Sequence, residues 1–272
     1  MRIALVALAL SGMTAARGLA QTPIHLSADT LASLSQPARV PFLKRPVVWR
    51  TAIPVVFVGL GYLSRNENVL DEMKEVVHEE THEHFPHFHT SLDNYSRHAP
   101  VWAAYGLYAL GMHGQRGVVP FTAIYGLSHA LSSGVVSGLK HVGGTRRPDD
   151  PADFSSFPSA HTAEAFMTAT LLYEQFGHTR PWLAAGGYTV AAATGAMRML
   201  NNRHWITDVV AGASIGFLSA ETVWRLYPAA ARLLPGHLEE KLLLMPTYVP
   251  GGAVGFTLAV KPQERPAYSK RR

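Results

Sequence analysis

The 272-residue sequence contains no cysteine and few charged residues, and both shortages limit what it encodes. Without cysteine it forms no disulfides, so its stability comes from packing alone. Charged residues make up 16% of the chain, against about 25% in an ordinary soluble domain, whereas glycine and alanine are abundant. This composition predicts one domain of closely packed helices and favours, without deciding, association with a membrane.

The formal net charge is +5. The sequence nevertheless contains no nucleic-acid-binding motif and no run of basic residues interleaved with aromatic ones. Nucleic acid is therefore not an expected partner. We interpret the excess positive charge as attraction to anionic phosphates or to an anionic membrane surface.

Six apolar segments predict an all-α fold, a bundle of about six helices within residues 51–240. They are Thr51–Ser64, Pro100–Met112, Gly117–Leu139, Ala165–Tyr173, Trp182–Met197 and Val209–Ala220. Among these, only Gly117–Leu139 clearly exceeds the roughly 18 uncharged residues expected of a membrane span. A membrane-embedded bundle and a soluble one both stay open at this point.

The two ends of the chain differ from the predicted bundle. Residues 1–20 have the basic, apolar and small-residue zones of a secretory signal peptide, or of an uncleaved anchor helix, and predict export to the cell envelope. An irregular arm is expected at residues 21–50. Residues 241–260 alternate around Pro250-Gly251-Gly252 and predict a small β-hairpin, followed by a basic tail at residues 261–272.

Three short motifs carry side chains that suit phosphoryl transfer. They occupy residues 140–148, 157–162 and 198–208. Breaking a phosphate ester requires that the charge on the phosphoryl oxygens be neutralised. Lys140, Arg147 and Arg198 supply this positive charge, because arginine binds two phosphate oxygens at once and lysine acts as a compact point charge. The motifs therefore predict a site that needs no metal or other cofactor.

The histidines of these motifs predict the chemistry. His204 and Asp208 are four residues apart, so on a helix they lie on one face, where the carboxylate orients the imidazole for attack on phosphorus. His161 is the expected general acid, because a reference pKa of about 6.5 permits either protonation state near neutral pH. His204, Asp208 and His161 are thus the predicted catalytic residues.

The segment around Ser159 is typical of a helix start. Pro158 precedes it, and a stretch rich in helix formers follows. The unpaired backbone N–H groups of a helix start, including that of Ala160, attract anions, and the Ser159 hydroxyl adds a donor. We therefore add Ser159 and Ala160 to the phosphate-binding residues.

In these motifs the chain resembles the type 2 phosphatidic acid phosphatase family, which includes soluble bacterial acid phosphatases and vanadium haloperoxidases. The family pattern is a lysine, six residues and Arg-Pro, then Pro-Ser-Gly-His, then Ser-Arg, five residues, His, three residues and Asp. The residues that match it are Lys140, Arg147, Pro148, Pro158, Ser159, His161, Arg198, His204 and Asp208. Ala160 and Met197 depart from it, standing where the family has glycine and serine.

The resemblance implies a phosphatase with an outward-facing, periplasmic site and a phosphohistidine at His204. The expected substrate is a phosphomonoester or diphosphate, of a lipid or of a small soluble molecule. A soluble periplasmic acid phosphatase and a haloperoxidase that holds vanadate on His204 are the alternatives within the family. A lipid-headgroup binder without activity is the alternative outside it, if Ala160 and Met197 disable the site.

A second motif suggests a different function from that of a metal-independent phosphatase. His78-Glu79-Glu80-Thr81-His82 satisfies the His-Glu-x-x-His pattern of zinc proteases. Phe88 stands where the extended pattern requires a third histidine, and Pro86 ends the helix. A polar amphipathic segment is therefore the favoured interpretation, with metal binding and proteolysis as the alternatives.

Overall fold

The computed structural model describes residues 46–66 and 68–232, together with the backbone of residues 242–249 and 253–260. The first two ranges contain eight α-helices. In chain order they are α1 (Pro46–Leu63), α2 (Val69–His84), α3 (Asp93–Ser96), α4 (Ala99–Ala109), α5 (Val118–Gly143), α6 (Ala160–Leu172), α7 (Pro181–Leu200) and α8 (Ile206–Ala231). A π-helical turn at Tyr173–Gly177 follows α6 directly. The described part of the chain is therefore mostly helical, as the sequence predicted.

The predicted number of six helices is wrong for these residues. The two helices that apolar segments did not reveal are α2, which is rich in glutamate and histidine, and α3, which is one turn long. The start of α2 is nevertheless marked in the sequence, because the Asn68 side chain accepts hydrogen bonds from the backbone N–H groups of Leu70 and Asp71. Charge and capping, not apolar periodicity, define α2.

The ends of the chain are described less fully. The predicted signal peptide at residues 1–20 and basic tail at residues 261–272 lie outside the described residues, as does most of the arm at 21–50. Its last residues, 46–50, are helical and begin α1 with a proline, which is tolerated in a first helical turn. Strands β1 (Leu242–Val249) and β2 (Ala253–Val260) pair antiparallel. The side chains of the two strands are not described.

Helix α6 lies at the centre of the described helices, in contact with α4, α5, α7 and α8. Most of its residues are buried. Its crossing with α8 is close because glycine occupies the contact points. A Cβ atom at Gly212 would lie 2.4 Å from the backbone oxygen of Ser159, and one at Gly216 would lie 2.0 Å from that of Ala163. This crossing fixes the start of α6 against the first turns of α8.

The core combines apolar packing with a buried ionic network. The largest buried cluster joins α4, α5, α6, the π-helical turn, α7 and α8 and includes Phe121, Met167, Leu171 and Trp224. Two buried carboxylates, Glu174 and Glu221, share Arg50 of α1, which lies 3.1 Å from Glu174. Such charges are tolerated in a core when they are paired.

Apolar side chains also lie on the outside of the described helices. Helix α1 exposes a run of large ones, Trp49, Ile53, Val55, Val56, Phe57, Leu60 and Leu63, and α5 exposes Leu127, Leu131 and Val135 on one face. Among the described residues, the helix that is long and apolar enough to cross a membrane is α8, rather than the predicted segment Gly117–Leu139. Core helices of soluble proteins share this length and composition, and more than half of the most apolar 18-residue window of α8 is buried.

Candidate active site

The three motifs meet at the start of α6. Lys140 lies in the last turn of α5, Arg147 in the loop that follows, and Ser159, Ala160 and His161 at the beginning of α6. Arg198 lies in the last turn of α7, His204 in the next loop and Asp208 in the first turn of α8. The structure thus brings all eight predicted site residues into one region, although almost 70 positions separate the first from the last.

His204 and Asp208 form a buried pair, with 3% and 1% of their surface exposed. The Nδ1 atom of His204 lies 3.4 Å from Asp208 Oδ2, which is long for a hydrogen bond. The Ser156 hydroxyl lies 2.5 Å from the same carboxylate oxygen and 3.5 Å from Nδ1. Ser156 therefore fixes the carboxylate beside the ring, a contact that sequence reasoning missed.

The protonation of His204 follows from its surroundings. Burial lowers the pKa of His204, an effect that the adjacent Asp208 opposes and that the positive charges of Arg198 and Lys140 reinforce. The imidazole is therefore neutral near pH 7. Because Nδ1 faces Asp208 and Ser156, the other ring nitrogen, Nε2, is the one available to attack an electrophile.

Lys140 and Arg147 are held by the loop between α5 and α6. The Lys140 ammonium donates to the backbone oxygens of Ser155 and Ser156. Arg147 Nη2 donates to the Ser155 hydroxyl at 3.2 Å, and its Nε lies 2.8 Å from Asp153 Oδ2 as an ion pair. Burial and the charge of Arg147 lower the pKa of Lys140 to about 8. At neutral pH both side chains therefore present positive charge.

Arg198 is held from the opposite side by α3. Its guanidinium forms a buried ion pair with Asp93, whose side chain is 1% exposed. The α3 residue Asp93 lies 105 positions away in the sequence, and nothing in the three motifs points to it. Asp93 fixes the direction of the arginine fork, which is the second contact that sequence reasoning missed.

Ser159 joins the start of α6 to α8. Its backbone N–H donates to the backbone oxygen of Asp208 at 3.0 Å, and its hydroxyl accepts a hydrogen bond from Thr162 at 2.9 Å. The Ser159 hydroxyl hydrogen and the N–H groups of the first turn of α6 are thus left for a ligand. Ala160, which is exposed, marks the open side of the site.

His161 departs from the expectation that it titrates near neutral pH. Its pKa falls to about 3, because it is buried and because Arg198 and Arg97 lie nearby, with only Asp93 opposing them. Its Nε2 lies 2.8 Å from the side-chain oxygen of Asn94. The ring is therefore neutral near pH 7. A bound phosphate dianion would offset the two arginines and favour protonation.

The His-Glu-x-x-His motif has a different place in the structure. His78 and His82 stack on each other, and His78 Nε2 lies 2.6 Å from Asn202 Oδ1 and beside the Trp205 ring. Within residues 46–66 and 68–232, no group of three or more His, Asp or Glu side chains is arranged to hold a metal ion. His78 of α2 therefore contacts the loop that carries His204.

Comparisons with known proteins match the part of the chain that contains the site. Residues 121–232, which contain all three motifs, match the model of the PAP2 superfamily. Lipid A 1-phosphatase of Porphyromonas gingivalis is 41% identical over 135 residues, which make up 49% of this chain and 30% of that relative. The chain thus matches less than a third of the length of this curated relative. The family match confirms the resemblance predicted from the motifs.

Two solved structures are also similar. The crystal structure of Aquifex aeolicus LpxE is 22% identical and aligns with 54% of this chain and 93% of its own, with a TM-score of 0.41. The first transmembrane PAP2-type phosphatidylglycerolphosphate phosphatase from Bacillus subtilis is 18% identical. It aligns with 68% of this chain and 100% of its own, with a TM-score of 0.46.

Proposed function

Since residues 121–232 match the model of the PAP2 superfamily, we propose that this chain is a phosphatase that hydrolyses a phosphomonoester or diphosphate of a lipid through a phosphohistidine. The observation that carries the proposal is the neutral, buried His204, with Asp208 at its Nδ1 side and the charges of Arg198 and Lys140 acting on it. A neutral imidazole is a nucleophile, and fixed cations favour a phosphoryl group beside it.

In the first step, Nε2 of His204 attacks phosphorus while the bond between phosphorus and the ester oxygen breaks. Lys140, Arg147 and Arg198 neutralise the three equatorial oxygens, and the Ser159 hydroxyl and the Ala160 N–H donate to them. His161, protonated when the dianion binds, gives its proton to the departing oxygen. The products are the leaving alcohol, or the lower phosphate, and a phosphorylated His204.

In the second step, water attacks the phosphohistidine. His161, now neutral, accepts a proton from that water, and the bond between phosphorus and His204 breaks to release inorganic phosphate. While Nε2 is bonded to phosphorus the ring carries positive charge, and the Asp208 carboxylate stabilises that charge. Because three fixed cations supply the charge that a metal would otherwise bring, the proposed reaction is independent of metal.

A lipid is the favoured substrate, and the cell envelope is the proposed location. The similar protein from P. gingivalis is named for its action on lipid A, and α1 and α5 expose large apolar side chains that suit a lipid environment. The predicted signal peptide fits a site that faces the periplasm.

The proposal is tested by measuring phosphate release from a panel of phosphatidate, a polyprenyl diphosphate, a lipid A phosphate and a small soluble ester, all in EDTA. Wild type is expected to release phosphate and to be inhibited by vanadate, which imitates five-coordinate phosphorus. His204→Ala is expected to lose activity. Equal rates for the two proteins, or activity that EDTA abolishes and zinc restores, would contradict the proposal. An assay with peroxide and halide distinguishes a phosphatase from a haloperoxidase, because only the haloperoxidase oxidises the halide.

A further inference from the structure

Helix α2 contacts the loop that carries the proposed nucleophile. This nucleophile loop consists of residues 201–205, between the end of α7 and the start of α8. Asn202 has a φ of 58°, in the left-handed region that asparagine adopts more readily than most residues. Its side-chain oxygen lies 2.6 Å from Nε2 of His78, the first histidine of the His-Glu-x-x-His motif. A residue 124 positions away in the sequence therefore holds the turn of the loop.

Trp205, at the end of the nucleophile loop, is the second contact of His78. The centroids of the two rings are 5.0 Å apart. Trp205 makes two further contacts: Nζ of Lys74 lies 5.0 Å from the centre of its ring, and its indole N–H donates to the backbone oxygen of Arg146 at 2.8 Å. Arg146 directly precedes the phosphate-binding Arg147. Trp205 thus connects α2, the nucleophile loop and the loop of Arg147.

The two contacts of His78 lie on either side of His204 in the sequence. On one of these sides, the backbone N–H of Trp205 also donates to Asp208 Oδ2 at 3.0 Å, the oxygen that faces Nδ1 of His204. The cations of the site are held by other segments, as Arg198 is by Asp93 of α3. A displacement of the nucleophile loop would therefore move the imidazole relative to cations that keep their own contacts.

We infer that His78 is a positioning residue of the phosphatase: from α2 it fixes the nucleophile loop through Asn202 and Trp205, and thereby the direction of the His204 ring. The second histidine of the motif, His82, stacks on His78 with ring centroids 5.9 Å apart and restricts its movement. This role gives the His-Glu-x-x-His motif a function without a metal. The inference rests on the proposed phosphatase function, because positioning matters only if His204 attacks phosphorus.

The test replaces His78 by leucine, which removes the ring nitrogen and keeps an apolar contact with Trp205. The substrate is the ester of the panel that wild type hydrolyses fastest. The kcat of His78→Leu is expected to fall by about ten-fold or more, because a small misalignment of the attacking atom is costly. The inhibition constant of inorganic phosphate is expected to stay nearly unchanged, because Asp93, Asp153 and Ser155 still hold the arginines.

Two further variants separate positioning from a general loss of structure. His78→Gln keeps an N–H donor near the place of Nε2 and is expected to restore most of kcat. His84→Leu is the matched control, because it makes the same substitution on the same helix at a ring that is exposed. It is expected to leave kcat unchanged. A merely structural role predicts instead that kcat, phosphate binding and the unfolding temperature fall together.

A double-mutant cycle tests the contact with Asn202 directly. Asn202→Gly removes the acceptor and still permits the positive φ of the turn. If both residues act through one hydrogen bond, Asn202→Gly lowers kcat about as much as His78→Leu does, and the double variant falls no further. Additive losses overturn the inference. If His78→Leu does not fold, Asn202→Gly decides the question by the same comparison of kcat with the inhibition constant, because it leaves α2 unaltered.

The possible results distinguish this inference from the proposed function. A wild-type protein that releases phosphate from no ester of the panel overturns both. An active wild type whose kcat is unchanged in His78→Leu and Asn202→Gly overturns only the positioning role. Equal losses in His84→Leu, or no rescue by His78→Gln, also overturn it, because the effect would then not depend on the donor at position 78.

Discussion

The side-chain oxygen of Asn94 lies 2.8 Å from Nε2 of His161, the proposed general acid. Asn94 belongs to α3, and its neighbour Asp93 pairs with Arg198. One short helix therefore positions both an acid and a cation of the site. The amide is uncharged, so it orients the ring without opposing the two arginines that depress its pKa.

Asn94→Asp tests this arrangement. A carboxylate at hydrogen-bond distance stabilises the imidazolium, so the pKa of His161 is expected to rise from about 3 by at least about one unit. The measurement is an NMR titration of the histidine ring signals, assigned by their loss in His161→Gln. Asn66→Asp, at an exposed position beyond α1, is the control. A His161 midpoint that does not move in Asn94→Asp contradicts the contact.

Asp93→Asn tests the buried ion pair. Removing the charge leaves Arg198 without its counterion, which costs up to about 3–5 kcal/mol for a buried pair, and frees the guanidinium to turn from the phosphate. We expect a lower unfolding temperature and a fall of about ten-fold or more in kcat/KM.

The matched control is Asp149→Asn. Asp149 pairs with the half-exposed Arg203 at 2.7 Å, a surface contact worth less than about 1 kcal/mol. Similar losses in both variants would show that Asp93 has no special role. A stability loss without any change in vanadate inhibition would show that Asp93 supports the fold but not the orientation of Arg198.

The sequence allowed the convergence of the site residues to be predicted, because the first two motifs have fixed local geometry, a helix end and a helix start. His204 and Asp208 also lie side by side, although His204 precedes α8 and the pair does not share a helical face as predicted. The sequence did not reveal Asp93, Asn94 or Ser156, because aspartate, asparagine and serine are common and their positions become informative only when distant segments pack together. The protonation of His161 was likewise mispredicted, since burial and the proximity of Arg97 are properties of the fold and not of the spacing.

The same reasoning explains the outcome for the helices. Apolar periodicity located the helices that pack around α6, but it overlooked α2, whose residues are largely polar. It also could not show that α8, and not Gly117–Leu139, is the described helix with the length and composition of a span. That stretch of α5 instead carries one histidine and three serines that line a polar cavity between α5 and α6: His129, Ser132, Ser133 and Ser137.

Lys140→Arg tests the pH dependence. The pKa of Lys140 is lowered to about 8, so its ammonium is charged at pH 7 and largely neutral at pH 9, and phosphate affinity should fall across that range. Arginine stays charged throughout. The inhibition constant of inorganic phosphate is expected to weaken by several-fold more in wild type than in Lys140→Arg between pH 7 and 9. Equal slopes would mean that Lys140 does not titrate in the site.

Gly212→Ala tests how the fold holds the site. The added Cβ atom would lie 2.4 Å from the backbone oxygen of Ser159, and backbone does not yield as a flexible side chain does. We expect α8 and the start of α6 to separate, with a loss of at least about 2 kcal/mol of unfolding free energy. Activity should fall further than stability explains, because a small displacement of positioned groups is costly to catalysis.

Gly186→Ala in α7 is the matched control, because a Cβ atom there meets nothing within 4 Å. It is expected to stabilise the protein by about 0.5–1 kcal/mol through the lower conformational freedom of alanine in the unfolded chain, and to leave activity unchanged. If Gly212→Ala behaved like Gly186→Ala, the close crossing of α6 and α8 would not set the position of Ser159. The link between core packing and the phosphate-binding turn would then be absent.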